Sequence, residues 1–94
     1  MDLGETFYKF DDDYLKFDKV RTKFSNRPDL CAFILLEKMI PGNSDIISAS
    51  EHDEFYLDID CAELANIATE DDIHDLVCCG VRYDAELDSL AMFS

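Results

Sequence analysis

The sequence predicts a small α+β domain in which helices pack on a mainly antiparallel sheet of two hairpins. Three observations support this fold class: apolar residues with helical spacing early in the chain, alternating apolar and polar residues later, and turn or capping residues between these segments. With 94 residues and 48% apolar composition, the chain can form one domain with a modest core. We expect the order ααββααββ within a single domain, residues 1–94.

The first predicted helix spans residues 12–24, with Asp11 as its cap. The aromatic residues of this region recur at spacings of three, four or seven, which is helical periodicity. Whether residues 5–10 extend this helix or form a short strand is left open by the pattern. The same aromatics either form core or contact a partner, and in the second case Phe7 and Tyr8 are the candidates for a homodimer or partner contact.

The second predicted helix spans residues 28–39. Pro28 suits the first position of a helix because its missing N–H would have no helical partner there. Residues 41–43, Pro-Gly-Asn, end the helix and form a connection. The predicted apolar face of this helix consists of Leu30, Phe33, Ile34 and Leu36.

A hairpin is predicted next, with strands at residues 46–50 and 55–60 around a turn at residues 51–54. The second strand alternates strictly between apolar and polar residues, so its two faces differ. Phe55, Leu57 and Ile59 share the apolar face. The polar face carries Glu54, Tyr56, Asp58 and Asp60.

Two capping boxes predict the last two helices. Asp60 with Glu63 begins a short helix through Ala68, and Thr69 with Asp72 begins the next helix.

The last helix is predicted over residues 70–79, and Gly80 is suited to end it. A second hairpin follows, with strands at residues 81–84 and 89–93 joined by the turn at residues 85–88. The apolar stripe of the helix consists of Ile73, Leu76 and Val77.

Charge divides the chain into two unequal parts. Residues 45–94 carry fourteen acidic side chains and one basic one, Arg82, whereas residues 1–44 carry eight acids and seven bases. Such a surface repels nucleic acid and acidic membranes and attracts basic partners over long range. We therefore expect no direct binding to nucleic acid or membrane, and a basic partner instead. The predicted partner-binding residues are Asp53, Glu54, Asp58, Asp71, Asp72, Asp75, Glu86 and Asp88.

In composition, size and charge layout the chain resembles the small acidic inhibitors with which phages and mobile elements block host defence. These are the DNA-mimic anti-restriction and anti-CRISPR proteins. The resemblance implies a stoichiometric, non-enzymatic inhibitor that covers the nucleic-acid-binding groove of a CRISPR effector or restriction enzyme. The alternative is an acidic adaptor or antitoxin-like regulatory protein that binds a basic partner without mimicking DNA.

Metal and catalytic motifs are weak in this sequence. Cys61, His74 and Cys78 are zinc-compatible ligand types without a paired CxxC or HxxxH, so a zinc-stabilised module is a third, open hypothesis. No EF-hand pattern, phosphate-binding loop or nucleophile elbow is present. We expect no enzyme activity, no cofactor and no metal.

The expected location is the cytoplasm, meaning the host cytosol if the gene is phage-borne. The first residues lack the pattern of a signal peptide, and the apolar run at residues 31–36 is too short to cross a bilayer. The four cysteines are then expected to be reduced thiols.

Overall fold

The computed structural model describes residues 1–41, 47–51, 54–57 and 59–93, and for residues 47–51, 54, 55 and 93 it describes the backbone. Two 3-10 turns, Asp11–Asp13 and Phe17–Lys19, lie between the first two helices of these ranges. The predicted α+β class is confirmed. The helices and strands are α1 Leu3–Lys9, α2 Pro28–Met39, β1 Ile47–Glu51, β2 Glu54–Leu57, α3 Cys61–Ile67, α4 Glu70–Cys78, β3 Val81–Asp84 and β4 Ser89–Phe93.

The segment before α2 does not form the predicted helix over residues 12–24. Instead α1 comes first, capped by Asp2, whose side chain accepts a hydrogen bond from the Glu5 amide at 3.1 Å, and two 3-10 turns follow. Leu15 has a φ of 62° and donates its amide hydrogen to the Val77 carbonyl oxygen, 3.1 Å away. An α-helix requires negative φ and an internal partner for that amide. Docking onto α4 therefore replaces helical hydrogen bonds with tertiary ones.

The helix α2 has the predicted bounds but a different buried side. Cys31, Ala32 and Leu36 are buried, whereas Leu30, assigned to the buried face, is exposed. Residues 30–36 are apolar on every side, so periodicity cannot select the face that packs inward. The longest described helix is α2, with 12 residues, and no helix in these ranges has the length and apolar character needed to cross a membrane.

The predicted capping box of α4 is confirmed, and at α3 Asp60 is the N-cap as predicted, with its side chain as the acceptor. Asp60 accepts hydrogen bonds from the amides of Ala62 at 3.0 Å and Glu63 at 3.2 Å. At α4 the Thr69 hydroxyl accepts from the Asp72 amide at 3.2 Å, and the Asp72 carboxylate accepts from the Thr69 amide at 2.9 Å. These bonds satisfy backbone donors that have no partner within a helix.

The described strands form one antiparallel sheet in the order β1-β2-β4-β3. Its register aligns Leu57, Leu90 and Tyr83 in one cross-strand row, of which Leu57 and Leu90 are buried. Helix α1 packs against the edge strand β3, next to the turn at residues 85–88. The neighbouring row, on the opposite face because side chains alternate along a strand, consists of Tyr56, Ala91 and Arg82.

The core is centred on α4. Its predicted stripe is confirmed, since Ile73, Leu76 and Val77 are all buried. Most of the early aromatics belong to this core: one is buried and three more pack against it, whereas Tyr8 and Phe24 are exposed. The core members are Phe7, Phe10, Tyr14 and Phe17.

Candidate functional site

The acids of α4, here called the helix acids, are Glu70, Asp71, Asp72 and Asp75. Asp75 lies deepest, with 4% of its side chain exposed. Its Oδ1 accepts a hydrogen bond from the Arg21 amide at 3.2 Å, and its Oδ2 lies 2.8 Å from both Nε and Nη2 of Arg21. A buried carboxylate requires such pairing because desolvation is costly. The bond to Asp75 also raises the pKa of Arg21 above its ordinary value.

Arg21 also reaches the other helix acids. Its Nη2 lies 3.1 Å from Oδ1 of Asp72, and its Nη1 lies 3.7 Å from Oδ2 of Asp71. Glu70 forms an ion pair with Lys9. Each helix acid therefore has a cationic neighbour from the first 21 residues, but two cations serve four carboxylates and cancel about half of their charge.

This pairing limits two of the predicted partner-binding residues. Asp75, predicted to bind a partner, is buried and engaged by Arg21, so its carboxylate is not presented at the surface. Asp72 is occupied on both oxygens, one by Arg21 and one by the capping bond to Thr69. Asp71, with 75% of its side chain exposed, is the predicted residue on α4 that most readily meets a partner.

A second polar cluster lies on the same helix around His74. Its Nε2 is 2.8 Å from Oδ2 of Asp13, and Lys19 donates to the other Asp13 oxygen at 2.9 Å. The bonds from Lys19 and then His74 lower the pKa of Asp13 to about 2. Lys16 contributes a longer contact to the same carboxylate, at 3.6 Å. The cluster holds the first 3-10 turn against α4.

The same histidine belongs to the zinc hypothesis raised by the sequence. His74 Nε2 lies 3.6 Å from Sγ of Cys78. Across the described ranges, no group of three or more His, Cys, Asp or Glu side chains is placed to hold a metal ion. Burial raises the pKa of the Cys78 thiol and raises that of Cys61 to about 11, so both are protonated at neutral pH.

The acids of the last hairpin, here called the turn acids, are Asp84, Glu86 and Asp88. Asp84 organises the turn by accepting hydrogen bonds from the amides of Glu86 at 3.0 Å and Leu87 at 3.3 Å. Asp88 has a φ of 49° and accepts a hydrogen bond from the Tyr83 hydroxyl at 2.5 Å. No described lysine or arginine lies within ion-pair distance of the turn acids.

A cavity of about 230 Å³ adjoins this turn. It lies between α1 and the β3–β4 hairpin, and Ala85 of the turn contributes to its wall. The rings of Phe7 and Tyr83 stack there with centroids 6.2 Å apart. Tyr8 at its edge is 81% exposed. The remaining polar residues of the lining are Asp11, Tyr14 and Arg82.

A second cavity of about 400 Å³ lies beside α2. Arg21, Phe24 and Lys38 contribute to its lining, and the Lys38 ammonium sits 4.9 Å from the Phe24 ring centroid. Arg21 and Lys38 already interact with Asp75 and Phe24, so this cavity has fewer available charged groups for a ligand than the cavity at the turn.

Three further predicted partner-binding residues, Asp53, Glu54 and Asp58, are close together in the sequence. Asp53 and Asp58 are outside the described residues, and Glu54 is in β2. Sequence reasoning missed the role of Arg21 and the bond between Tyr83 and Asp88, because pairs 54 and five residues apart leave no periodic signal. Comparisons with protein-family models, curated proteins and solved structures give no match.

Proposed function

We propose that this chain is a non-enzymatic inhibitor that covers a basic nucleic-acid-binding surface of a host defence protein. A CRISPR effector or a restriction enzyme has such a surface. The observation that carries the proposal is a net charge of −14 combined with turn acids that have no cation among the described residues. The proposal requires no cofactor and places the chain in the host cytosol.

The size of the charge suits a mimic of nucleic acid. Duplex DNA carries about one negative charge per 1.7 Å of axis, so the acidic half matches roughly 22 Å of duplex. Charges of one sign on a surface raise the rate at which an oppositely charged partner associates. The turn acids and Asp71 contribute most to this attraction, because Asp71 is 75% exposed and only 3.7 Å from Arg21 at its nearest, whereas the other helix acids have closer internal partners.

The acids near β2 complete the proposed surface. It includes Asp53, Glu54 and Asp58 in the predicted arrangement of two hairpins, each preceded by two helices. Alternate residues on a strand lie about 6.6 Å apart, which provides regular spacing for lysine and arginine side chains of a partner. Central pairs would slow dissociation, and pairs at the rim would speed association.

The second candidate is an acidic adaptor or antitoxin-like protein that binds a basic partner without replacing DNA. Exposed aromatic residues in the near-neutral half favour it, because Tyr8 and Phe24 offer contact area that does not depend on charge. Tyrosine and phenylalanine are enriched in protein interfaces. Such a partner would be held through both halves of the chain.

A pull-down from host lysate at moderate salt, with duplex DNA added to half of the sample, tests the proposal. We expect one nucleic-acid-binding protein to be captured and to be displaced by the DNA. Glu86→Gln should weaken capture, whereas Glu37→Gln, the same change at an exposed position on α2, should not. Capture that persists despite the DNA would favour the adaptor. Equal capture by both variants would show that Glu86 does not contribute to partner binding.

A further inference from the structure

We propose that the cavity between α1 and the β3–β4 hairpin receives an arginine side chain of the basic partner. This inference rests on the proposed function and gives its acidic surface an anchoring point. The cavity, at about 230 Å³, is below the range of roughly 300–1,000 Å³ typical of small-molecule pockets. It is the size for one side chain.

The walls have the shape and chemistry that a guanidinium group prefers. Phe7 and Tyr83 stack with an interplanar angle of 27°, and Tyr8 extends into solvent beside them. Planar guanidinium groups stack on aromatic rings and are attracted by the negative faces of those rings. The hydrogen bond from Tyr83 to Asp88 fixes one of these rings before any ligand arrives.

Gly4 keeps the cavity open. A Cβ atom at this position would lie 3.6 Å from the Tyr83 ring, so the absence of a side chain leaves space between α1 and β3. Any residue longer than alanine would extend into the volume that the arginine occupies.

The charge around the cavity favours a cation. Asp11 is one of the lining residues, and Ala85, which also contributes, is flanked in the sequence by the turn acids Asp84 and Glu86. Arg82, the cation in the wall, opposes this, but its Nε is buried and the residue already has an interaction of its own. Within the lining one acid, Asp11, stands against one base, Arg82, and the negative charge of the turn acids is added from just outside it.

A buried hydroxyl adds a hydrogen-bonding group. Tyr14 Oη is shielded from solvent and has no hydrogen-bond partner within the described part of the chain. A buried hydroxyl without a partner is unfavourable. A guanidinium N–H that enters the cavity can supply the missing donor after a small movement of the wall.

The test is an NMR titration of the ¹⁵N-labelled protein with three peptides, acetyl-Gly-X-Gly-amide with X as arginine, lysine or glutamate. We expect the arginine peptide to shift the amide signals of Gly4, Tyr8 and Ala85 and to bind about threefold more tightly than the lysine peptide, a difference of about 0.7 kcal/mol. Stronger binding of the glutamate peptide at these signals would overturn the proposal and define an anion site.

Two variants separate the cavity from general electrostatics. Tyr8→Ala removes an exposed ring and Gly4→Leu fills the cavity, and both should weaken arginine binding at least threefold, with a spectrum that confirms folding. Leu87→Ala, an exposed residue of the same turn that is not part of the lining, is the matched control and should leave binding unchanged. Equal affinities for all four proteins would overturn the proposal.

The outcome of the peptide titration and that of the pull-down are independent of each other. Loss of arginine binding in the cavity, together with a partner that DNA displaces, would overturn this inference and leave the proposed function standing. Arginine binding that depends on Tyr8 and Gly4, without any DNA-displaced partner, would support the cavity and contradict the proposed function.

Discussion

The helix acids and the turn acids have similar composition but different electrostatic surroundings. On α4, Arg21 and Lys9 approach from the first quarter of the chain and pair with every helix acid. At the turn, the carboxylates accept hydrogen bonds from local amides and from Tyr83, and these bonds do not cancel their charge. Charge counted along a sequence is therefore an upper limit on the charge that a partner meets.

The largest expected effect comes from removing the cation that serves the helix acids. Arg21→Met leaves the buried Asp75 without its counter-ion and should lower the free energy of unfolding by about 3 kcal/mol, the low end for a broken buried pair, because Arg21 itself is half exposed. Urea unfolding followed by circular dichroism measures this loss.

The exposed pair between Arg27 and Asp29 provides the control. Arg27→Met should change stability by less than about 1 kcal/mol. Adding Asp75→Asn to Arg21→Met should restore part of the loss, because the buried charge disappears. Equal effects of the two arginine substitutions would show that Asp75 does not depend on Arg21, and the contrast with the turn acids would no longer hold.

The next effect tests how the N-terminal segment is fixed against the end of α4. Gly80 has a φ of 94°, and a Cβ there would lie 2.6 Å from Cδ2 of Leu15. Gly80→Ala should therefore cost about 2 kcal/mol through backbone strain and the clash. Gly4→Ala, with ordinary contacts inside a helix, should stabilise by roughly 0.5–1 kcal/mol. Thermal unfolding of both variants checks this difference, and melting temperatures that shift in the same direction would contradict it.

A smaller effect concerns acid stability. The pKa of Asp13 is about 2 in the folded chain because Lys19 and His74 bond to its charged form, and its ordinary value is 3.8. Its contribution to stability is therefore present above about pH 4 and is lost as the pH falls through 2. Asp13→Asn should reduce the difference in unfolding free energy between pH 7 and pH 2.5, measured with urea. Asp12→Asn, an exposed neighbour with the same change in charge, should preserve that difference, and parallel profiles for the two variants would refute the assignment.

The smallest effect on stability is expected at the turn. Glu86→Gln removes an exposed charge that has no counter-ion among the residues the structure describes, so the free energy of unfolding should change by less than about 0.5 kcal/mol. The same substitution should slow association with a basic partner, with a difference that disappears at high salt. Stopped-flow association with an arginine-rich peptide at two salt concentrations measures this, and a salt-independent rate difference would contradict it.

Local signals explain which elements were predictable. Thr69 with Asp72 and Asp60 with its helix are contacts within three residues, and both caps were identified correctly. The segment before α2 was not, because its conformation depends on Val77, 62 residues away from Leu15 in the sequence. Helical spacing of aromatics is also compatible with 3-10 turns whose aromatic residues pack, partly buried, against the core.

The same difference between local and long-range contacts separates the candidate-site residues. Exposure of Glu86 and Asp88 was expected from their position in a turn and agrees with the structure. Burial of Asp75 was not expected, because an acid in the middle of a helix usually faces solvent. Its position next to the stripe residue Leu76 was the available signal, but only the approach of Arg21 makes burial tolerable.

The long separation between Arg21 and Asp75 has a consequence for synthesis. Residues 1–21 leave the ribosome before α4, and their hydrogen bonds to α4 span 51 to 62 positions of the chain. The N-terminal segment therefore cannot form its final contacts until α4 has been synthesised. Contacts this distant slow folding because a long loop must close before they form. The nascent chain accordingly exposes Phe7, Phe10 and Phe17 during translation, and completion of the C-terminal half is the event that shelters them.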